Sequence, residues 1–357
     1  MDNISPDYDS TTVISTSRLT KVFGRLVAVN DLHLQVHRGD VFGFLGPNGS
    51  GKTTTIRMLL GLIRPTAGRA ILFGMDTAYQ LPAILQRIGA IVEMPVFYPY
   101  LSGLDNLRVV AATSGMMSGP ANDHRLQEVL DIVELRAHEK HAYRKYSLGM
   151  KQRLGIAAAL LTDPELVLLD EPTNGLDPAG VFEIRQLIQR LKQLDKTIFI
   201  SSHILHEVQQ VCNRVAILQR GNLVKQGNVS ELLRQSQQIE VRLNREDETH
   251  YALSLLQQRR TQVNWITGVS IERNKQGHLL LMIDAPPSRS AEINAFLAHH
   301  SLFAAEIHPR EGSLEEVFLE LTSTSASTGL RSGMEALADL SVTPTSDIPG
   351  SGKRGNI

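Results

Sequence analysis

The chain has a single cysteine, Cys212, so it forms no internal disulfide, and that scarcity suits a reducing compartment. Cys212 closes the helical pattern Val208 to Cys212 and reads as a core thiol, not a nucleophile. An excess of charge of either sign is also missing. Thirty-six Lys and Arg against 37 Asp and Glu leave a net charge of −1, so no overall field draws nucleic acid. Long apolar runs are absent too. The best candidate, Leu154 to Leu169, is interrupted by Thr162-Asp163-Pro164-Glu165 and falls short of a membrane span. The polar, acidic stretch Met1 to Ser10 has no apolar core of the kind a secretory signal needs. These absences predict a protein soluble by itself, for which any membrane role needs a partner. The length, 357 residues, allows two domains and a sizeable core.

One stretch stands out. Gly46-Pro47-Asn48-Gly49-Ser50-Gly51-Lys52-Thr53-Thr54 fits G-x-x-x-x-G-K-[ST], the phosphate-cradling loop. The apolar run Val41 to Leu45 before it reads as a buried parallel strand, and Ile56, Leu59, Leu60 and Ile63 after it fall at helical spacing. Gly46, Gly49 and Gly51 are expected to adopt backbone angles barred to other residues and to let amides approach phosphates. The helix aims its positive end at the same anion. Lys52 is expected to reach the β- and γ-phosphates, and Thr53 to place its hydroxyl on Mg²⁺. The correct flanks and the Lys-Thr pair weigh against a glycine turn that binds nothing.

Upstream, Val13 to Phe23 and Leu26 to Val36 alternate around Gly24-Arg25, the pattern of a hairpin or meander. Phe23 is either a core residue of that strand or an aromatic that stacks on adenine, and the pattern leaves both open. Downstream, Ala70 to Gly74 reads as a strand, and Ile88 to Val92 as another that runs into Glu93. Met94 to Leu101 carries Phe97, Tyr98 and Tyr100 and is pinned by Pro95 and Pro99; it cannot be a regular helix and forms either a docking surface or local packing. Residues 102–162 read as helical, with a polar break at Ser114 to Pro120 whose paired methionines are gap fillers.

Leu166 to Asp170 is a buried strand running into Asp170-Glu171. A buried strand has no reason to end in two carboxylates unless a cation or water sits at its tip. In α/β sheets ligands bind at the carboxyl ends of strands, so Asp170 and the phosphate loop should converge. Asp177 is expected to cap the helix that starts at Pro178. Thr197 to His203 is another strand. His203 at its end is structural by default and a hydrogen-bond donor if a phosphate lies near. Val215 to Leu218 and Leu223 to Gln226 read as a closing hairpin.

Together these motifs resemble the nucleotide-binding subunit of ABC transporters over about residues 13–235. Gly46 to Thr53 is similar to the Walker A loop, Leu166 to Asp170 to Walker B, and Glu171 falls at the catalytic carboxylate position. Asn174 to Asp177 matches the D-loop, His203 the switch histidine and Phe23 the adenine-stacking aromatic. Tyr146 to Met150, followed by Lys151-Gln152-Arg153, takes the place of the family signature. Only Ser147 and Gly149 of the usual Leu-Ser-Gly-Gly-Gln survive. Leu148 restricts the backbone where glycine would not. Glu93 replaces the usual Q-loop glutamine; it can offer an oxygen to Mg²⁺ or water but cannot donate a hydrogen bond. Both departures resemble the drug and peptide-antibiotic export branch, including lantibiotic exporters.

The resemblance implies an α/β phosphate-loop ATPase with a helical subdomain at about 95–163. It implies binding of ATP and Mg²⁺ by Phe23, Gly46 to Thr54, Ser147 and Gly149, with Thr53, Asp170 and Glu93 on the metal. Lys52, Glu171 and His203 would be catalytic. It further implies a homodimer, a separate multi-span membrane permease, no nucleic acid, and a place at the cytoplasmic face of the membrane. The rival is a soluble ABC ATPase of translation or DNA repair; it lacks support, because the chain has neither a second cassette nor a coiled-coil insertion. Residues 236–322 order as β-α-β-β-α-β and suggest a small ferredoxin-like accessory domain. Gly312 to Glu316 opens a helix with a capping box. Trp265 reads as packing and His299-His300 as a solvated pair. Residues 323–357, rich in Ser, Thr, Gly and Pro, are expected to be disordered.

Overall fold

The structure, a computed structural model, describes residues 11–94, 96–235, 237–274, 277–310, 312–319 and 321. The tail expected over 323–357 lies outside the described residues, as do residues 1–10; Thr12 already opens a strand. The main sheet has six strands in the order Asn222–Asn228, Arg214–Gln219, Val41–Leu45, Thr197–Ser202, Leu166–Asp170 and Ile88–Ile91. All its pairings are parallel except the hairpin 214–228. The three central strands are buried along their whole length, which is why Val41–Leu45 and Leu166–Leu169 read as apolar runs without alternation. Phe42 and Phe199 stack in the centre with ring centroids 5.7 Å apart. Leu45 pairs with Ser202 and Asp170 with Ser201, so the phosphate loop, Asp170-Glu171 and His203 leave the sheet at one edge.

An antiparallel sheet lies upstream. Thr12–Phe23 pairs with Leu26–Leu32, with Gln35–His37 and with Ala67–Leu72, turning at Gly24-Arg25 as the alternation predicts. The second arm stops at Leu32 and resumes at Gln35, because Thr16 Oγ1 donates to Leu32 O and accepts from Leu34 N, taking the place of ladder bonds.

Gly103–Thr113, Pro120–Ile132 and Leu148–Leu160 form the helical part, with the expected break between the first two. The stretch between the last two is not one helix, contrary to expectation. Glu134 takes a left-handed φ of 57° and ends the second helix. Beyond it the amides of Tyr143 and Arg144 donate to Leu101 O and Pro99 O, both at 2.9 Å, so the aromatic segment satisfies them in place of a helix. Asp177 caps Pro178–Gln193 by accepting from Gly180 N at 3.2 Å.

Residues 238–310 hold a second core. Four antiparallel strands lie in the order Gly268–Arg273, Leu279–Asp284, Gln238–Leu243 and Ala304–Arg310, connected through the helices Glu246–Arg260 and Ser290–His299. The strand expected from Val263 starts only at Gly268. Trp265 packs on this core beneath Arg289, 5.4 Å from its ring centre. Ser313 and Glu316 form the expected reciprocal cap, Glu316 N donating to Ser313 Oγ at 3.1 Å and Ser313 N to Glu316 Oε2 at 3.3 Å. Cys212 is a buried core thiol whose pKa is pushed up by burial.

Candidate functional site

The site begins with a helix that lacks a side-chain cap. Lys52–Leu59 starts after Gly51, which has a left-handed φ of 105°; no side chain caps the helix and no acidic residue stands in its first turn. Its first amides are therefore left for an external anion, at the positive end of the helix. Gly49 has φ 79° and open space where a Cβ would be. Gly46 needs its hydrogen for a different reason from the one expected. Its φ is not positive, but a Cβ there would sit 2.5 Å from Leu218 O and from Ser50 Oγ. Ser50 Oγ is itself buried with no hydrogen-bond partner among the described residues.

Lys52 is buried, and its Nζ donates to Gly46 O at 2.7 Å and to Pro47 O at 3.3 Å while lying 3.1 Å from Glu171 Oε1. Glu171 Oε2 accepts from His203 Nδ1 at 2.7 Å. Glu171 takes a left-handed φ of 49°, and its amide is tied to Ser201 O at 3.2 Å and to Ser201 Oγ at 2.9 Å. The Ser201 hydroxyl in turn donates to Asp170 Oδ1. Lys52, Asp170, Glu171 and His203 thus form one connected cluster, as strand ends on a parallel sheet allow.

A cavity of about 590 Å³ is lined by Phe23, Leu26, Val27 and Ala28 together with Asn48, Gly49, Gly51 to Thr54 and Glu171 of this cluster. Phe23 is 47% exposed, so it is not a core residue; Lys21 Nζ stands 5.0 Å from its ring centre. An exposed aromatic, unsatisfied amides and a buried cation on the wall of one cavity fit a nucleoside triphosphate. Thr53 and the nearly buried Asp170 suit Mg²⁺, which takes few protein ligands and relies on substrate phosphates and water. Among the described residues no group of three or more His, Cys, Asp or Glu could hold a metal by itself.

Of the expected residues, Gly46, Pro47 and Ser50 of the phosphate loop and Asp170 and His203 of the cluster do not line the cavity, and Ser147, Gly149 and Glu93 belong neither to its wall nor to the cluster. Ser147 caps Leu148–Leu160 by accepting from Met150 N at 3.2 Å, and neither it nor Gly149 lines the cavity. Leu148 and Gly149 sit in ordinary helical turns without positive φ, so the leucine costs no strain. Glu93 pairs with Arg57, in the last turn of the phosphate-loop helix, and its carboxylate is exposed. Two residues escaped sequence reasoning. Ser201 is signalled only by a polar pair, Ser201-Ser202, inside a buried strand. Arg220, at the tip of the closing hairpin, lines the cavity and carries no signal in the motif.

A phosphate loop, a carboxylate-ended strand and a strand-end histidine on one parallel sheet define an ATP-hydrolysing cassette, and the chain belongs to the ABC transporter ATP-binding proteins. Residues 29–174 match the ABC transporter family. Over 312 residues the chain is 41% identical to the bacitracin transport ATP-binding protein BcrA of Bacillus licheniformis, covering 87% of this chain and 97% of that one. The Nod factor export ATP-binding protein I of Cupriavidus pinatubonensis is 36% identical over 223 residues, 62% of this chain and 68% of that one. A solved dimeric ATP-binding cassette, in a post-hydrolysis state bound to ADP and Pi, superimposes with a TM-score of 0.55 at 27% identity, covering 60% of this chain and 98% of that one. The chain is therefore an ATPase subunit of an ABC transporter, in the drug and antibiotic export branch. No helix among the described residues is long and apolar enough to cross a membrane.

Proposed function

We propose that two copies of this chain close head to tail around ATP, and that the cycle drives export of a drug, peptide antibiotic or similar amphiphile through a separate membrane permease. The observation that carries this reading is the division of the site. Lys52 and Glu171 line one cavity and His203 is bonded to Glu171, while Ser147 stands exposed at the start of its own helix, lines none of that cavity and has no bond to the cluster. A γ-phosphate in one copy would have donors on one side only; Ser147 of the partner subunit would supply the other. The dimeric cassette solved with ADP and Pi supports this arrangement.

In the closed pair Phe23 stacks on adenine and the first-turn amides of Lys52–Leu59 hold the phosphates. Glu171 accepts a proton from the attacking water, and Lys52 and His203 stabilise charge on the transferred phosphoryl group. Thr53 and Asp170 would hold Mg²⁺, directly or through water, and Glu93 could add an oxygen after releasing Arg57. Bound there, the ion neutralises phosphate charge.

The permease contact falls on Glu93 to Leu101. Met94, Val96, Tyr98 and Tyr100 are exposed, Val96 at 93%, while the buried Asn106 holds the backbone of Tyr98 through its N and O at 2.8 and 3.1 Å. A shaped loop with exposed tyrosines suits a protein anchor, and it would keep the subunit at the cytoplasmic face of the membrane. The strand order of 238–310, with the outer strands last and second in sequence, supports a ferredoxin-like accessory domain in dimer support or regulation. Sedimentation of a Glu171→Gln variant with MgATP tests the central reading. A dimer is expected, and a strict monomer even with the permease present would overturn it.

A further inference from the structure

We infer that Arg220 is a nucleotide-binding residue that grips the α-phosphate end of ATP and ADP alike. The inference rests on the cavity above being the nucleotide site and assigns a contact that the phosphate-loop motif does not contain.

Arg220 lines the same cavity as Phe23 and Lys52. It is exposed, and its guanidinium has no carboxylate partner among the described residues, unlike Lys52, which is neutralised by Glu171. Its backbone is held from both sides. The Gly221 amide donates to Ser50 O of the phosphate loop at 3.0 Å, and Gly221 O accepts from Asn30 N, on the strand behind Phe23, at 2.8 Å. Asn222 Nδ2 donates to Arg220 O at 3.1 Å, and Asn30 Nδ2 to Asn222 Oδ1 at 3.0 Å. Arg220 itself takes a left-handed φ of 48°, a conformation that costs a non-glycine residue energy and persists where neighbours impose it. Gly221, with φ 82°, lets the turn approach to where a Cβ would lie 3.0 Å from Ala28 O.

Position decides which group the arginine meets. Lys52 and Glu171 mark the γ end of the cavity and Phe23 the base end. The turn is bonded both to Ser50 of the phosphate loop and to Asn30 of the strand that follows Phe23, which suits Arg220 to the α-phosphate, the group a nucleotide carries between its base and its γ-phosphate. A guanidinium is a permanent cation whose forked donors match phosphate oxygens, so an unpaired one on a cavity wall, carried by a held backbone, is suited to this anion.

The test measures binding of MgATP and MgADP to the full chain by calorimetry, for wild type, Arg220→Ala, Arg220→Gln and Lys52→Ala, with thermal melting to show that each variant is folded. Both Arg220 variants are expected to weaken ATP and ADP by the same factor, about 5–10-fold for one charge-assisted phosphate contact, with KM rising in step and kcat falling less than that. Arg220→Lys should recover part of the loss. Unchanged affinity in a folded Arg220 variant, with Lys52→Ala impaired, would overturn the assignment and leave the site intact. A loss confined to ATP would also overturn it, because it would place the arginine at the γ end. Normal binding by Lys52→Ala would sink the site reading itself.

Discussion

Lys52 and Glu171 face each other at 3.1 Å, and the far oxygen of the same carboxylate holds His203 at 2.7 Å. One carboxylate therefore neutralises the cation of the phosphate loop and fixes the imidazole at the end of the neighbouring strand. A γ-phosphate that enters must compete with Glu171 for Lys52, and success releases the carboxylate to face water. In the proposed cycle, replacing Glu171 by glutamine removes both the general base and the competitor for Lys52. Hydrolysis should slow by about 10²–10⁴-fold, while nucleotide affinity stays equal or rises. Phosphate release and equilibrium binding on the same sample check both halves, and turnover near that of wild type would remove Glu171 from the role.

Ser201 joins the two carboxylate residues. Its hydroxyl donates to Asp170 and accepts from the Glu171 amide, in a fully buried position. Ser201→Ala would leave that amide with only the Ser201 carbonyl and Asp170 without its donor. Activity should fall by roughly 10–100-fold, the usual cost of losing a residue that orients a ligand, and stability by about 1–3 kcal/mol. An ATPase rate and a denaturant titration measure the two effects. A variant that loses stability but keeps its rate would make Ser201 a packing residue only.

The aromatic segment divides into residues that face inward and outward. Phe97 meets Tyr143 edge to face at 5.2 Å, whereas Tyr98 is 61% exposed. Tyr98→Glu is expected to abolish transport in the assembled transporter and to leave the melting temperature unchanged. Phe97→Glu should lower the melting temperature as well, because it places a charge in a packed contact. Equal transport by wild type and Tyr98→Glu would move the docking surface elsewhere.

At the opposite end of the sheet Glu165 accepts from Arg87 at 2.5 Å and Arg38 at 2.7 Å. The hydrogen bond from Arg87, ahead of that from Arg38, holds its carboxyl well down, at about 2 against an ordinary 4.5. A carboxylate with a depressed pKa stabilises the fold fully above its unfolded value and loses that contribution as pH falls through the folded one. The difference in melting temperature between wild type and Glu165→Gln should therefore be constant above about pH 4.5 and close towards pH 2. It should be small, since the pair is partly exposed and screened. A difference that does not change with pH would show that the arginines do not stabilise the charged form.

Chemistry written in consecutive residues is legible in the sequence alone. The nine residues from Gly46 to Thr54, the strand running into Asp170-Glu171 and the cap at Asp177 are local patterns, each set by backbone angles or burial within a few positions. The irregular stretch after Glu134 is not legible there, because its amides are satisfied by Pro99 and Leu101, more than forty residues upstream by sequence number. Separations of thirty residues or more likewise hide Ser201 between Asp170 and Glu171 and the pairing of Glu93 with Arg57, and Arg220 is far along the chain from the phosphate loop whose cavity it lines. Composition and local periodicity thus determined that a buried parallel sheet carries a phosphate loop and two carboxylates to one edge. Which side chains meet there was decided only by strand order and register, since hydrogen bonds and ion pairs between distant segments depend on distances in space and not on spacing along the chain.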